Sequence, residues 1–513
     1  MSGVCGRKVV TSLGAAALVL GLLSGGCSVI VDADIKPGGI GAVCSSTADC
    51  QGGTCSGGIC VSKCSVSADC PAGAQCFDGL CQVPLKVAGL WVGVVSGGEG
   101  WTLTHQEGMD AARSKLSYVE FTYKEALLGD AFADAIDEAA SKGYDVIVGN
   151  SFSHQPQMQA KAVEYPELTF LIASGYPNST NMGAYWGHLE QAWYVAGKVA
   201  AQQSKTGRIG YIVPYVSGEL TRHGNAFLRG AQAVKADIKM EVRYLGFWYD
   251  YNEAPTYKYK PRFLSPGAPE SAPELTLFAE EYLAAKMIDS GVDVIAHGAD
   301  NQRVVRFVEK YFNEGYLREP GGAPTVHTLG NDNQFACRDA NQSFYRTCVG
   351  SPYWNWTPLY VRLLDQIHRH TWTPGFVNEP MAEAPEERVV SFEPNLSAGV
   401  DGDTVRKQLS EAATAGWEKI FEGPWETTGQ RAPMPAGQSF DEAEWRAPCF
   451  WIKGAVERSN PQDPTSPDIP ARVPSDDYQV SDPNDPAPVT APEIVLPIPG
   501  LERGIGWNCR SNS

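Results

Sequence analysis

Residues 86–105, KVAGLWVGVVSGGEGWTLTH, contain the turn that decides the fold. Residues 87–95 form an apolar run without alternation, which predicts a strand buried on both faces of a sheet. Glycines follow, and residues 102–104 start a helical pattern that continues to Leu116. Such a strand-to-helix turn lies at the C-terminal edge of a parallel sheet, where open α/β folds bind ligands. The turn is therefore either the edge of a binding site, where Trp101 offers a flat apolar face, or a tight connection with Trp101 packed beneath it.

The same alternation of strand and helix patterns continues along the chain. Further strands, rich in Val, Ile and Leu, are predicted at residues 144–149, 168–173, 208–213, 241–246, 292–297 and 325–330. Helices are predicted at residues 132–142, 189–204, 220–234, 275–290, 303–314 and 357–369. Repeated βα units of this kind predict an α/β protein with parallel sheets flanked by helices. A chain of 513 residues is long enough for two or three domains.

Charge and motifs exclude two classes of function. The chain has 41 Lys and Arg against 59 Asp and Glu, so its net charge is 41 − 59 = −18, and it contains no basic stripe. Phosphate contacts need clustered Lys and Arg, so we expect no nucleic acid partner. The sequence also lacks a Gly-x-Ser-x-Gly elbow, a P-loop, an HExxH helix and a GxGxxG turn. We therefore expect a binding protein that is not an enzyme and that needs no metal or cofactor.

The N-terminal residues have the pattern of an export signal. Arg7 and Lys8 precede an apolar run at residues 9–23, and Ser-Gly-Gly then leads to Cys27. The run has about 15 residues, fewer than the ~20 that span a bilayer. The small residues before Cys27 resemble a bacterial lipobox, although Leu23 lies four residues before the cysteine instead of three. We predict a signal peptide at 1–26, a lipidated tether at 27–42 and anchoring in the cell envelope, facing the periplasm or the exterior.

A cysteine-rich module follows at residues 43–82. It consists of two tandem four-Cys units, each with an Ala-Asp-Cys step, at Asp49 and Asp69. Zinc binding is disfavoured because CxxC knuckles are absent and an exported protein is oxidised. A unit of about 18 residues is too small for a hydrophobic core, so two disulfides should hold each one, with the pairing left open. The eight cysteines are Cys44, Cys50, Cys55, Cys60, Cys64, Cys70, Cys76 and Cys81.

One stretch interrupts the βα body, which is predicted at residues 86–457, and a second stretch follows it. Residues 253–273 are rich in Pro, Tyr and Lys and have the character of an inserted loop. Residues 458–513 form a Pro-, Asp- and Ser-rich tail without periodicity. Four further cysteines lie in the body and the tail. Cys337 and Cys348 are expected to close a local loop, and Cys449 and Cys509 would then tie the tail to the body.

Many short matches, in order, connect the βα body to one family. The turn Gly100-Trp101-Thr102-Leu103-Thr104-His105 is one of them, and Leu329-Gly330-Asn331-Asp332 and Trp354-Asn355-Trp356 are others. Residues 86–458 therefore resemble the basic membrane protein family, substrate-binding lipoproteins of ABC transporters of the purine nucleoside receptor type. The resemblance implies a two-lobed periplasmic-binding-protein fold whose lobes close on a ligand, and an ABC transporter permease as partner.

The resemblance also implies a set of ligand-binding residues. A purine ring would lie between Trp101 of one lobe and Trp248 of the other, with polar groups around its edge. The remaining implied contacts are Thr102, His105, Ser151, Phe152, Asn225, Asp300 and Asp332. Core packing is the competing interpretation for both tryptophans. A capping role is the competing interpretation for Asn225, Asp300 and Asp332, and Asn225 in particular lies within a helical pattern.

The chain departs from the family pattern at two positions. Gly98-Glu99 stands where the subgroup has an Asp before Gly-Trp, so one polar contact is either lost or moved to Glu99. Gln334 stands where a second Asp often follows Asp332. A nucleoside, a free base or another flat heterocycle is compatible with these changes. The competing function is a surface sensor or interaction lipoprotein that keeps the fold without transport, and the cysteine module favours it because solute receptors do not need one.

Overall fold

The computed structural model describes residues 38–457 except 97, 215–216, 246, 249–254, 256, 429–431, 442–444, 446–447 and 449. The predicted signal peptide, Cys27, the tail at 458–513, Cys449 and Cys509 lie outside the described residues. Within the described part of the chain, no helix combines the length and the apolar character that a membrane span requires.

The cysteine-rich module is a small antiparallel sheet held by disulfides. Its strands are β1 (Thr54–Ser56), β2 (Ile59–Lys63), β3 (Gln75–Phe77) and β4 (Leu80–Gln82), in the order β1-β2-β4-β3. The bridges are Cys44–Cys55, Cys50–Cys60, Cys64–Cys76 and Cys70–Cys81. Each unit therefore pairs its first cysteine with its third and its second with its fourth, which agrees with two bridges per repeat.

The repeated aspartate of the two units has a structural explanation. Asp49 Oδ2 accepts hydrogen bonds from the backbone N–H groups of Ser45 and Ser46, both at 2.8 Å. Asp69 Oδ2 accepts equivalent bonds from Ser65, at 2.8 Å, and Val66, at 3.1 Å. These backbone hydrogen bonds hold the pKa of both carboxyls below the ordinary value. The Ala-Asp-Cys step therefore closes the same turn twice.

The βα body begins at residue 85. Its elements, in chain order, are β5 (Leu85–Leu90), α1 (Trp101–Lys115), β6 (Val119–Lys124), α2 (Gly129–Ser141), β7 (Val146–Gly149), α3 (Gln155–Glu164), β8 (Thr169–Ala173), β9 (Met182–Gly187), α4 (Glu190–Gln203), β10 (Arg208–Val213), α5 (Gly218–Val234), β11 (Lys239–Tyr244), β12 (Tyr257–Tyr259), β13 (Leu275–Leu277), α6 (Ala279–Asp289), β14 (Val294–His297), α7 (Arg303–Asn313), β15 (His327–Thr328), β16 (Gly350–Trp354), α8 (Thr357–His368), β17 (Phe376–Glu379), β18 (Val390–Pro394), α9 (Gly402–Ala415) and β19 (Ala455–Glu457).

Eleven strands of the described body form two parallel sheets, and the other four form the antiparallel pairs β12-β13 and β16-β18. In the described residues, the first sheet has the order β17-β9-β8-β7-β5-β6 and the second the order β15-β14-β10-β11-β19. All neighbouring strands within each of these sheets are parallel. We call the first sheet with α1–α3 and α8 the first lobe, and the second sheet with α5–α7 the second lobe. Parallel sheets flanked by helices confirm the predicted fold class.

Helix α4 leads from the first sheet to the second and packs closely on α5. A Cβ at Gly197 of α4 would lie 2.0 Å from the carbonyl oxygen of Phe227, and one at Gly230 of α5 would lie 1.9 Å from that of Tyr194. Because all four atoms belong to backbone or Cβ positions, no side-chain movement could relieve these clashes. The two glycines therefore allow the close helix crossing that joins the lobes.

The described part of the predicted inserted loop contributes to a β-hairpin on the second lobe. Strands β12 and β13 pair antiparallel, and Asp289 at the end of α6 accepts hydrogen bonds from Tyr259 Oη and the backbone N–H of Arg262, both at 2.8 Å. The predicted helix at 275–290 was therefore wrong at its start. Residues 275–277 are strand β13, and α6 begins at Ala279 because Phe278 has extended backbone dihedrals.

The cysteine-rich module lies against the first lobe. Arg369, just after α8, donates from Nη1 to the carbonyl oxygen of Gly57 at 3.1 Å. Ser117 Oγ donates to Asp78 Oδ2 at 2.6 Å, and Phe77 packs on the core of the first lobe. Polar bonds and an apolar contact thus dock the module on the end of α8 and the loop before β6.

Candidate functional site

The turn after β5 is fixed by a buried asparagine at the end of β7. Asn150 Oδ1 accepts from the backbone N–H of Val92 at 2.8 Å, and its Nδ2 donates to Thr102 Oγ1 at 3.2 Å. Thr102 Oγ1 also accepts from the N–H of Gly93 at 3.2 Å. The carbonyl oxygen of Asn150 accepts from Trp101 Nε1 at 2.6 Å. Thr102 is buried and ties the turn together, while Trp101 opens helix α1 in a fixed orientation.

Trp101 belongs to an aromatic cluster whose other members are buried. Its ring centroid lies 5.5 Å from that of Trp186, 5.7 Å from Trp354 and 5.6 Å from Trp356. Trp354 and Trp356 are stacked at 4.7 Å and 8°. We call Trp101, His105, Tyr185, Trp186, Trp354, Trp356 and Tyr360 the aromatic cluster. Trp101 is only partly buried, so it is the member of the cluster that retains solvent exposure.

His105 lies inside this cluster, one helical turn behind Trp101. It is fully buried, stacks on Trp356 at 4.5 Å and 13°, and its Nδ1 lies 2.6 Å from Tyr360 Oη. Burial holds its pKa well below the ordinary value, so the ring is neutral. Its position makes His105 a support for the Trp101 ring.

Ser151 and Phe152 follow β7 at the same edge of the first sheet. Ser151 is buried, and its Oγ accepts from the N–H of Ser153 at 3.1 Å, which caps the short helical turn at 152–154. Phe152 is partly buried, with its ring 6.4 Å from that of Tyr176. Both residues directly follow Asn150, whose carbonyl oxygen holds Trp101.

Trp248, Asp300 and Asp332 lie at the C-terminal edge of the second sheet, after β11, β14 and β15. The backbone N–H of Asp300 donates to the carbonyl oxygen of Trp248 at 3.1 Å. Asp332 is buried with φ of 61°, a left-handed conformation that aspartate tolerates better than most residues. Trp354 Nε1 donates to its Oδ1 at 3.0 Å. The aromatic cluster of the first lobe is thereby joined to the acidic edge of the second.

The two edges touch at Gly100 and Asp300. A Cβ on Gly100 would lie 2.7 Å from the carbonyl oxygen of Asp300 and 3.1 Å from its Cα. Only glycine permits this approach of two backbones. Trp101 is therefore one residue away from the contact between the lobes, and Asp300 in turn is hydrogen-bonded to the backbone of Trp248.

Carboxyl groups of the second lobe perturb one another at this edge. Burial raises the pKa of Asp332 well above its ordinary value, and the nearby Asp300 and Glu219 act in the same direction. Burial likewise raises the pKa of Glu219 to about 8, with Arg222 opposing and Asp300 adding to the effect. Near neutral pH these two carboxyls therefore favour the protonated form, which can donate as well as accept a hydrogen bond.

Asn225 lies apart from this site. Its Nδ2 donates to the carbonyl oxygen of Phe450 at 2.8 Å, and its Oδ1 accepts from the N–H of Ile452 at 2.9 Å. The residue is fully buried in α5. Both ends of its amide thus hold the segment that leads into β19, which supports the structural interpretation of Asn225 over ligand contact.

Sequence reasoning assigned no site role to three residues that the structure places here, and it named Glu99 only as the residue to which a polar contact could move. Trp186 comes from β9, Trp354 is the last residue of β16, and Trp356 is the N-cap of α8. Glu99 lies in the turn before α1 and contacts α7, with its Oε2 2.8 Å from the N–H of Gln302. The available signal was the spacing Trp354-Asn-Trp356, which resembles the family but did not by itself indicate what the rings contact.

Comparison with known proteins identifies relatives of this body. Residues 85–257 match the model of the Bmp family, described as ABC transporter substrate-binding protein PnrA-like. A Haloferax volcanii protein, provisionally named ABC transporter glucose-binding protein TsgA13, is 28% identical over 283 residues, 55% of this chain and 61% of the relative. A purine-binding protein of Brucella abortus is 24% identical over 380 residues, 73% of this chain and 93% of the relative. The nucleoside-binding protein BmpA of Lactococcus lactis is 30% identical over 131 residues, 25% of this chain and 37% of the relative.

Two of these alignments span less than two thirds of the relative's own length. Among solved structures, a transcriptional activator of the comK gene from Bacillus halodurans has a TM-score of 0.48 at 20% identity, over 64% of this chain and 96% of the other. An ABC transporter solute-binding protein from Conexibacter woesei has a TM-score of 0.47 at 17% identity, over 64% and 95%. The match of residues 85–257 to the model of PnrA-like ABC transporter substrate-binding proteins, together with relatives named as purine-binding and nucleoside-binding proteins, confirms the resemblance seen in the sequence.

Proposed function

We propose that this protein binds a purine nucleoside or nucleobase between its two lobes and delivers it to an ABC transporter permease. The observation that carries the proposal is the position of Trp101. It is the partly exposed member of a buried aromatic cluster, and it lies next to the Gly100–Asp300 contact between the lobes. An aromatic residue of one lobe is therefore adjacent in the chain to the point where the backbone of an acidic residue of the other lobe makes contact.

The chemistry of these groups suits a purine. A purine is a flat ring with donors and acceptors around its edge, so it stacks on an indole and is read by hydrogen bonds at its rim. Asp300 and Asp332 lie at the rim of the second lobe, where ring nitrogens or ribose hydroxyls would be met. The names of the Brucella and Lactococcus relatives support this choice of ligand.

A hexose is the second candidate ligand. The name of the Haloferax relative favours it. The same residues could bind a hexose, because an aromatic ring packs against the apolar face of a sugar ring and a carboxyl group can form hydrogen bonds with sugar hydroxyls. The proposed activity is binding without catalysis in either case.

Calorimetric titration of the purified protein distinguishes the candidates. Adenosine, guanosine, inosine, adenine and glucose would each be titrated, and mass spectrometry would identify molecules that copurify. Saturable binding of a purine supports the proposal. Binding of glucose alone would replace purine by hexose, and binding of none of the five would contradict both ligands.

A measurement of ligand uptake by whole cells distinguishes a role in transport from a role in sensing. We propose that Cys27 carries a lipid that anchors the protein in the cell envelope, facing the periplasm or exterior beside its permease. Deleting the gene should then reduce uptake of the labelled ligand by whole cells. Unchanged uptake, together with ligand binding by the pure protein, would favour a surface sensor or interaction protein.

A further inference from the structure

Glu99 reaches from the first lobe to the second. It stands in the turn between β5 and α1, and its Oε2 accepts from the backbone N–H of Gln302 at 2.8 Å. Its Oε1 accepts from Nη1 of Arg306 at 2.5 Å. Gln302 and Arg306 are the N-cap and the fourth residue of helix α7 in the second lobe. Both carboxylate oxygens of a first-lobe residue are thus bonded by one helix of the opposite lobe.

The contact is electrostatically favourable for two independent reasons. The start of a helix carries unpaired N–H groups and a partial positive charge, which a carboxylate complements. The side chain of Gln302 makes no cap hydrogen bond of its own, so Glu99 supplies the acceptor for this N–H. Arg306, one turn further along α7, adds a charge-assisted hydrogen bond to the same carboxylate.

We propose that Glu99, Gln302 and Arg306 form an interlobe latch that stabilises the closed arrangement of the lobes. Bonds that exist only when the lobes are together shift the equilibrium toward that arrangement. A ligand held between the lobes then dissociates more slowly, because opening must break the latch as well as the ligand contacts. Glu99 acts here as a positioning residue, since the second lobe engages both of its oxygens.

The latch is next to the proposed binding site. Glu99 precedes Gly100, whose Cα faces the backbone of Asp300, and Trp101 follows. The bonded N–H of Gln302 lies two residues after Asp300 on the other lobe. Glu99 is thus two residues from Trp101 and its partner Gln302 is two residues from Asp300, so a change in the latch acts on the backbone at the edge of the proposed site.

Small-angle X-ray scattering tests the latch without any ligand. Glu99→Gln removes the charge and Arg306→Gln removes its partner, so each should increase the radius of gyration by shifting molecules to the open arrangement. Gly100→Ala should do the same by steric wedging, because its Cβ meets backbone atoms of Asp300. Both latch side chains are partly exposed, so 1 M salt should also open the wild-type protein.

A matched control shows whether the change in radius of gyration is specific to the latch or follows from the loss of any surface ion pair. Glu138 is an exposed carboxylate bonded by Lys124 at 2.5 Å and Lys142 at 2.6 Å, all within the first lobe. Glu138→Gln should leave the radius of gyration unchanged. Equal radii for wild type, Glu99→Gln and Arg306→Gln at low salt would overturn the latch, provided that their melting temperatures show folded protein.

A second experiment, which rests on the proposed function, measures the dissociation constants of wild type and variants for adenosine, guanosine and inosine. An exposed ion pair plus a helix-terminus interaction is worth about 0.5–2 kcal/mol, so Glu99→Gln should raise the dissociation constant about three- to thirtyfold, mainly through faster dissociation. The double variant with Arg306→Gln should lose less than the sum of the singles. Unchanged affinity of Glu99→Gln for a nucleoside that binds wild type would overturn the latch. If no nucleoside binds, the scattering result decides the latch, and the purine proposal fails separately.

Discussion

The indole N–H of Trp354 donates a hydrogen bond of 3.0 Å to Oδ1 of Asp332, and its backbone N–H donates to the carbonyl oxygen of the same aspartate, also at 3.0 Å. Trp354 also stacks on Trp356 and meets the ring of Trp101 edge-on. One side chain thus contacts both the aromatic cluster and the acidic edge. A ligand that touches Trp101 and Asp332 would contact two ends of one connected group of residues, which is why substitutions in it should affect affinity together.

The first prediction concerns the face of Trp101. Trp101→Ala removes a stacking surface worth about 1–3 kcal/mol, so the dissociation constant for a purine should rise roughly ten- to hundredfold. Trp101→Phe should lose less, because it keeps a flat ring and lacks only the 2.6 Å bond to the carbonyl oxygen of Asn150. Trp193→Phe, in the buried core of α4, is the control and should lower the melting temperature without changing affinity. Calorimetry with equal affinities for wild type and Trp101→Ala would make Trp101 a packing residue.

The second prediction is a pH dependence of stability. The pKa of Glu219 is raised by burial from 4.5 to about 8, so the folded protein holds a proton that the unfolded chain has lost at neutral pH. Its stabilising contribution is fully present below pH 4.5 and is lost as the pH rises through about 8. Glu219→Gln stays neutral, so its free energy of unfolding should fall less than that of wild type over this range. Denaturant titrations at several pH values measure both slopes, and parallel slopes would contradict the prediction.

The third prediction concerns the anchor. Cys27→Ser should move the protein from the membrane fraction to the soluble fraction, because the thiol is the predicted site of lipid attachment. Cys5→Ser is the matched control, since Cys5 lies within the predicted signal peptide, and its variant should stay with the membrane. Fractionation followed by immunoblotting measures the distribution. Membrane association of Cys27→Ser equal to wild type would contradict the anchor.

The fourth prediction concerns the bridges of the cysteine-rich module. Alkylation without reductant should label none of its eight cysteines, because the structure pairs all of them. Cys50→Ser frees Cys60, which is fully buried, and removing one such bridge typically costs about 2–4 kcal/mol. The module should then become sensitive to protease while ligand affinity stays unchanged. Loss of affinity in this variant would mean that the module contributes to the binding site.

The fifth prediction concerns how the module docks. Arg369→Ala removes the 3.1 Å bond to the carbonyl oxygen of Gly57 and the pair with Asp365 at 2.8 Å. Hydrogen exchange should then rise in the module around Gly57 and remain unchanged at the lobe contact near Gly100. Lys407→Ala, an exposed cation on α9 that lies 3.9 Å from Glu411, is the control and should change neither region. Unchanged exchange around Gly57 in Arg369→Ala would show that the remaining contacts, including Phe77 and the Ser117–Asp78 bond, are sufficient for docking.

The fold was largely predictable because parallel strands buried on both faces have a strong sequence signal. Strands such as β8 and β10, at Thr169–Ala173 and Arg208–Val213, are continuous apolar runs, and the predicted segments coincide with them almost residue for residue. Strand β9, Met182–Gly187, was not predicted because its sequence MGAYWG contains two glycines and two aromatic residues. Helix α6 was predicted too long because its start is defined by pairing with β12, a tertiary contact that periodicity cannot show.

The site was less predictable than the fold. Trp101 was found because a strand-to-helix turn indicates a sheet edge from local sequence alone. Trp186 and Trp354 contact Trp101 only because β9 and β16 are brought beside α1, across 85 and 253 residues of chain, counted as 186 − 101 and 354 − 101. Asn225 had the polarity of a ligand contact, but the returning segment that becomes β19 accepts and donates its hydrogen bonds. No local pattern distinguishes these two roles.

The docked module connects the N-terminal segment of the chain to the first lobe and not to the second. It lies on α8 and on the loop before β6, both in the first lobe, through Arg369 and Ser117. Any restraint that acts on the chain before residue 38 is therefore transmitted through a rigid, cross-linked body to the first lobe. If the two lobes open and close on a ligand, the second lobe would then move relative to the point of attachment while the first lobe keeps its position. The face of Trp101 would keep a constant direction relative to the attachment surface, and α7 would be the element that travels.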